Sequence, residues 1–483
     1  MLDTTATKAA RVRASLDHPI IDADGHFVEL GPLLDDEIVS YLEEEGGAEL
    51  REAYRASARP FDTSVSAAGR DDPAVRAEWR AMPSWWGWQC TNTRDRATAH
   101  LPRLLYERLD EIGIDFTILY PSMALGLLET PDADLAAAVA KAVNRWFARC
   151  YGPYADRIAA GAIVPMHDPD HAVGVLRHAV TELGCKTIVM TGYARRYLGE
   201  PDACPRPYRL DTFGIDSEYD YDPFWAACVE LGVAPVSHSS LQPHRVTRSV
   251  SSYVYNHVGG LGAGHESLCK SLFLGGVTRR FPGLRVGFLE GGVAWACSLL
   301  ADLVGHWEKR NGGAISDLDP SRLDVDELVH YLGAYGDDDV RGQLGRLREY
   351  FTRSAFAPPV LDEFAACQIE TADDIRTLFE PHFYFGCEAD DPLVAWAFAS
   401  SVNALGARLR PMFGSDISHW DVPDMTEPVA EAWELVERGT MGEPEFREFT
   451  FLNPLRMHAG MNPGFFRGTV CEAAAADALV AEA

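Results

Sequence analysis

The chain has 483 residues, 47% apolar and 24% charged, enough for one large domain or two to three ordinary ones. Its 43 Lys and Arg against 72 Asp and Glu give a formal net charge of −29, which speaks against nucleic acid and membrane surfaces as partners. The ten cysteines form no C-x-x-C pair, Met1 to Thr5 carry no secretion signal, and no apolar run reaches membrane-spanning length; the expectation is a reduced, cytoplasmic protein.

Short β-rich apolar runs alternate with helical patterns along the chain. Eight strands are expected, at 20–24, 116–120, 160–165, 187–190, 234–238, 285–290, 383–387 and 411–416. Helical patterns intervene, for example over 132–151, 171–183, 223–231 and 293–310. Eight such units predict an α/β protein, a (β/α)8 TIM barrel, with a doubly wound open sheet as the alternative. No nucleotide-binding glycine pattern follows the first strand. Two spacings exceed a simple unit. Residues 28–115, with the cluster Trp85, Trp86 and Trp88, form an insertion after strand one that is expected on the catalytic face as a lid. The alternative is a local core or an oligomer contact. A helical insertion covers 311–381, within one barrel domain of residues 1–470, and 471–483 reads as a peripheral tail.

Polar residues fall where these strands end. Strand one closes on Asp24 and His26, which share a face because residues i and i+2 of a strand point the same way. Strand five closes on His238, strand six on Glu290, and strand eight on Asp416 with His419 and Asp421 beyond. Taken singly, such a His is a hydrogen-bonded core residue and such an Asp a helix cap. Their convergence on one barrel mouth argues instead for a metal-dependent site.

The blocks Ile21-Asp22-Ala23-Asp24-Gly25-His26, Ile118-Leu119-Tyr120-Pro121, Pro235-Val236-Ser237-His238, Phe281 to Gly292 and Phe413 to Asp421 resemble the amidohydrolase-related family of metal-dependent barrels. This branch includes aminocarboxymuconate-semialdehyde decarboxylase and the resorcylate-type decarboxylases. The resemblance implies a metal held by Asp24, His26, His238 and Asp416, and a homodimer. It departs at strand six, where the muconate-type decarboxylases carry a His and this chain has Glu290.

Two imidazoles and two carboxylates suit one divalent ion, zinc first, with manganese or ferrous iron as alternatives. The expected activity is hydrolysis of a C–N or C–O bond of a small molecule by metal-activated water. Asp416 would orient the water, and Glu290, raised in pKa by the apolar barrel, would donate a proton. Nonoxidative decarboxylation of an aromatic or unsaturated carboxylic acid uses the same groups, and an inactive metal-binding barrel is the non-enzymatic alternative. His257 is a further acid–base candidate. Asn256, His419, Trp86 and Arg195 are candidates for substrate binding, against bland readings as a capping residue, a neighbour of the ligands, local core and a solvated loop.

Overall fold

Eight parallel strands follow one another around a closed barrel in the computed structural model, which describes residues 6–57, 88–199, 207–238, 249 and 251–482. The strands are β1 (Ile21–Phe27), β2 (Phe116–Pro121), β3 (Ile158–Ala160 and Ala162–Ile163), β4 (Ile188–Met190), β5 (Pro235–Ser237), β6 (Val286–Phe288), β7 (Phe383–Glu388) and β8 (Arg410–Gly414). Each pairs in parallel with the next. Closure between β8 and β1 comes from Asp416 N donating to Asp24 O at 2.9 Å and His26 N donating to Ile417 O at 3.0 Å. All eight expected runs are strands, and the barrel follows from their being buried on both faces.

Helices cover the outside and are capped as their sequences imply. Asp132 accepts from Leu135 N to start Ala133–Tyr151, and Asp168 accepts from His171 N to start Pro169–Arg177, which ends in a π-helical turn over His178–Glu182. The helices Asp222–Leu231 and Ala294–Arg310 lie where their apolar periodicity puts them. The tail forms a peripheral helix, Glu472–Glu482, tied down by Arg456 Nε donating to Glu482 at 2.8 Å.

Three local departures have plain causes. β3 is broken at Gly161, whose missing side chain leaves room for the Tyr120 ring; a Cβ there would lie 2.5 Å from it. β1 carries a bulge between Asp22 and Gly25, and a Cβ at Gly25 would lie 2.6 Å from Asp22 Oδ2. An antiparallel hairpin, Ala194–Tyr197 with Tyr208–Asp211, follows β4 and was not expected from the sequence.

The first insertion reaches back over the carboxyl ends of the strands. Gln89 Nε2 donates to Val422 O at 2.6 Å, and Asp95 accepts from Met425 N at 2.8 Å while pairing with buried Arg108. Trp85 and Trp86 lie outside the described residues. The second insertion is helical over Val325–Tyr335, Asp338–Gly342 and Leu344–Ser354. Among the described residues no helix is long and apolar enough to cross a membrane, and the nine described cysteines are free.

Two buried carboxyls fasten the barrel top. Asp22 accepts from Ser415 N (2.9 Å), Ser415 Oγ (2.7 Å), Thr117 Oγ1 (2.7 Å) and Asp24 N (3.2 Å), joining β1 to both neighbours. Asp22→Ala is expected to cost roughly 2–4 kcal/mol in chemical denaturation, because it strands several buried donors; a loss within error of zero would remove Asp22 from this role. Glu29 accepts from Met123 N (2.9 Å) and Ala124 N (2.8 Å), and burial raises its carboxyl from 4.5 to about 7. Its folded pKa is the higher one, so its contribution is complete below the unfolded value and fades as pH rises through about 7. Unfolding free energy should therefore fall across this window by up to about 3 kcal/mol from this group, a slope that Glu29→Gln should lack.

Candidate metal centre

The barrel mouth gathers the polar strand ends. Asp24 and His26 emerge together from β1, with His26 Nε2 3.5 Å from Asp24 Oδ1 and 3.4 Å from Asp416 Oδ1. His238, just past β5, brings its Nε2 to 3.1 Å from His26 Nε2. Two ring nitrogens face each other this closely only when one carries a proton or both address a cation. Asp24, His26 and His238 offer ligand atoms that all lie within 4.8 Å of one another, and His26, Glu290, Asp416 and His419 form an overlapping set. None of Asp24, His26, His238 and Asp416 is more than 5% exposed. No hydrogen bond reaches the buried Asp24 Oδ1. Four buried groups of this kind, with oxygens of both Asp24 and Asp416 lacking a hydrogen bond, fit a divalent ion with a mixed nitrogen and oxygen set.

Burial pushes the Asp24 and Asp416 carboxyls well above their usual range, with the Glu290 charge adding to both, and drives the His26 imidazole well below its own. Glu290 differs from the sequence expectation. Burial alone would raise it, but the imidazoles of His238 (Nε2 3.0 Å from Oε2) and His257 (Nε2 3.7 Å from Oε1) outweigh burial and hold it well below the carboxylate range. Glu290 is thus the anion of a pair, and His257, raised chiefly by Glu290, is the proton carrier.

His419 is more than a neighbour in sequence. Its ring stacks on His26 at 3.7 Å, its Nδ1 is 2.7 Å from Asp416 Oδ1, and its Nε2 is 3.1 Å from Ser122 Oγ. His257 stacks on Tyr253 at 5.3 Å and meets Trp420 edge-on at 5.5 Å, giving the mouth an aromatic wall. Trp88, within the first insertion, approaches the His419 ring to 6.4 Å.

The other candidates take different places. Asn256 braces the loop, accepting from Ser249 N and donating to Ser249 O, each at 2.8 Å. Arg195 sits on the hairpin after β4, over the Tyr208 ring, and lines a separate pocket with Leu128, His167, Thr191 and Tyr193. Trp86 lies outside the described residues. Glu388, at the end of β7, is one of the polar strand ends but not among the site residues expected from the sequence. It joins Glu290, Asp416 and Asp421 in a carboxylate cluster, and burial followed by the Glu290 charge raises it well above its usual range. A Glu one residue past an apolar strand is the signal that would have found it.

Backbone strain marks the same residues. Glu290 (φ 58°), Asp416 (φ 46°) and Ser418 (φ 85°) are left-handed without being glycine. Each such position costs of order 1–3 kcal/mol and persists where the surroundings enforce it.

A family model described as Amidohydrolase matches residues 21–457. The chain is similar to a gamma-resorcylate decarboxylase from Rhodococcus jostii, 29% identical over 125 residues, which are 26% of this chain and 35% of that protein. The match therefore spans about a third of that relative's length. Two solved structures share the fold. An amidohydrolase from Mycobacterium avium subsp. paratuberculosis is 15% identical with a TM-score of 0.51, covering 92% of this chain and 100% of that one. An IDCase from Metarhizium anisopliae is 15% identical with a TM-score of 0.51, covering 92% and 98%.

Removing a ligand should empty the site without unfolding the barrel. Asp24→Asn and His238→Ala are each expected to weaken divalent-metal binding by more than the ~10–100-fold typical of outer-shell partners, read by metal analysis after dialysis with circular dichroism unchanged. Full metal retention in both variants would exclude these residues as ligands.

Proposed function

The chain belongs to the amidohydrolase family, and on that premise we propose that it is a metal-dependent decarboxylase of a small aromatic or unsaturated carboxylic acid. The observation that carries the reading is the Glu290–His257 pair beside the Asp24, His26, His238 and Asp416 set. It puts a held proton next to a site able to take a carboxylate. The likeness to a gamma-resorcylate decarboxylase favours loss of carbon dioxide over the hydrolysis of a C–N or C–O bond, which would use the same residues.

A divalent ion bound there, zinc first and manganese or iron as alternatives, would supply positive charge to the substrate's carboxylate or a neighbouring oxygen. The protein's own groups do the rest. Tyr253 and Trp420 present ring faces and edges to a planar substrate. Decarboxylation breaks one C–C bond and leaves its electron pair on carbon, which must then take a proton. His257 holds such a proton because Glu290 stabilises its cation. Asp416, bound through Oδ1 to His419, is the second group able to deliver one. Glu290 holds His238 and His257 in register from one carboxylate. The partner in this scheme is a small molecule; the −29 formal charge is a matter of solubility.

The test is a screen of hydroxylated aromatic carboxylates with metal-loaded protein in deuterium oxide. Carbon dioxide release with deuterium at the former carboxyl carbon is the expected outcome. Oxygen transfer from labelled water into a cleaved amide or ester, without carbon dioxide, would return the reading to hydrolysis. Protein that retains no metal and ignores chelators would leave an inactive barrel. Glu290→Gln should lower kcat by roughly 10²–10⁴ with little change in KM, and an effect confined to KM would make it a binding residue.

A further inference from the structure

Four carboxylates converge on the β6, β7 and β8 side of the mouth. Glu290, Glu388, Asp416 and Asp421 offer oxygens that all lie within 4.8 Å of one another. Glu290 follows β6, Glu388 is the last residue of β7, and Asp416 and Asp421 follow β8. Among the described residues no Lys or Arg pairs with any of them. Their basic neighbours are imidazoles, His238 and His257 at Glu290, and His26 and His419 at Asp416. Like charges packed this closely away from bulk water repel strongly, so the group must take up protons or hold a cation.

Asp416 points to the cation. It is 1% exposed, and both of its ion-pair contacts fall on Oδ1, from His26 at 3.4 Å and His419 at 2.7 Å. Oδ2 is buried with no hydrogen-bond partner. Asp416 also belongs to two donor groups at once, one with His26, Glu290 and His419, the other with the three carboxylates. It therefore has one oxygen engaged beside the imidazoles and one left over. Asp421 Oδ1 is a second buried oxygen of the same group without a hydrogen bond. Such oxygens are costly to bury bare and are the donors a metal ion satisfies. The Asp24, His26 and His238 group closes without Asp416, which leaves that residue free to bridge.

The donor types differ across the bridge. The first group mixes imidazole with carboxylate. The second is oxygen only, the set preferred by hard cations of the magnesium and manganese class. Glu290 completes its charge, although both Glu290 oxygens already face imidazoles.

We infer that Glu388, Asp416 and Asp421 hold a second divalent cation, a hard one, joined to the Asp24–His26–His238 site through the Asp416 carboxylate. This does not depend on which reaction is catalysed.

The test is an equilibrium titration of the full-length chain with manganese by calorimetry. Two ions per chain are expected in the parent, and electron paramagnetic resonance of that sample should show a spin-coupled pair. Glu388→Gln with Asp421→Asn should bind one ion, give the spectrum of an isolated manganese, and leave circular dichroism unchanged. Asp421→Asn alone, in the loop past β8, should raise the second dissociation constant at least about 10-fold. Magnesium should displace the second ion in the parent and not the first. A parent that binds a single ion at saturating manganese, its carboxylates sharing protons instead, would overturn the inference. So would two ions, still coupled, in the double variant. A chain that binds both ions and releases no carbon dioxide would refute the decarboxylase reading and leave the second site standing.

Discussion

One carboxylate, that of Asp22, holds the barrel mouth in shape. Through Ser415 it grips the end of β8 one residue before Asp416, through Thr117 it grips β2, and through the Asp24 amide it fixes its own strand at the first ligand candidate, two residues before His26. The bulge and Gly25 exist to make space for it. Closure of the barrel and placement of two metal-ligand candidates are therefore the same event. A barrel sealed only by backbone bonds between β8 and β1 would leave Asp24 and Asp416 free to drift by the fraction of an ångström that coordination does not tolerate.

Around that frame the site carries more acid than it can balance alone. Asp24, Glu290, Glu388, Asp416 and Asp421 crowd against His26, His238, His257 and His419. Without a cation, burial pushes the Asp24, Glu388 and Asp416 carboxyls and the His26 and His419 rings towards the neutral form, whereas Glu290, braced between two rings, and His257 beside it are held towards their charged forms. A bound ion would reverse this order, since a nearby positive charge favours every carboxylate and disfavours every imidazolium. The proton inventory of the mouth is thus set by occupancy, and the Glu290–His257 pair, one step removed from the ligand set, is the part suited to hold a proton through that change.

The strands were legible because parallel barrel strands are buried on both faces and read as unbroken apolar runs. Asp24, His26, His238 and Asp416 were legible because they follow such runs. What depended on tertiary contact was not. The break in β3 comes from the Tyr120 ring, a neighbour in space and not in sequence. The pKa of Glu290 moves down and not up because two imidazoles, one just past β5 and one on the helix Tyr253–His257, outweigh its burial, a balance that no local window contains. The bonds of Asn256 to Ser249, seven residues before it, likewise depend on how the loop folds back. Glu388 was missed because a Glu before Asp390 and Asp391 looks like one more surface acid.

The left-handed backbone at Glu290 and Asp416 bears on how such a chain can change. A glycine at either position would relax the turn, but at Glu290 it would also strip the carboxylate from between His238 and His257 and leave a buried and a half-buried imidazole without it. The strain at that corner cannot be shed without a loss beside it. The acid and the left-handed turn are therefore kept or lost together.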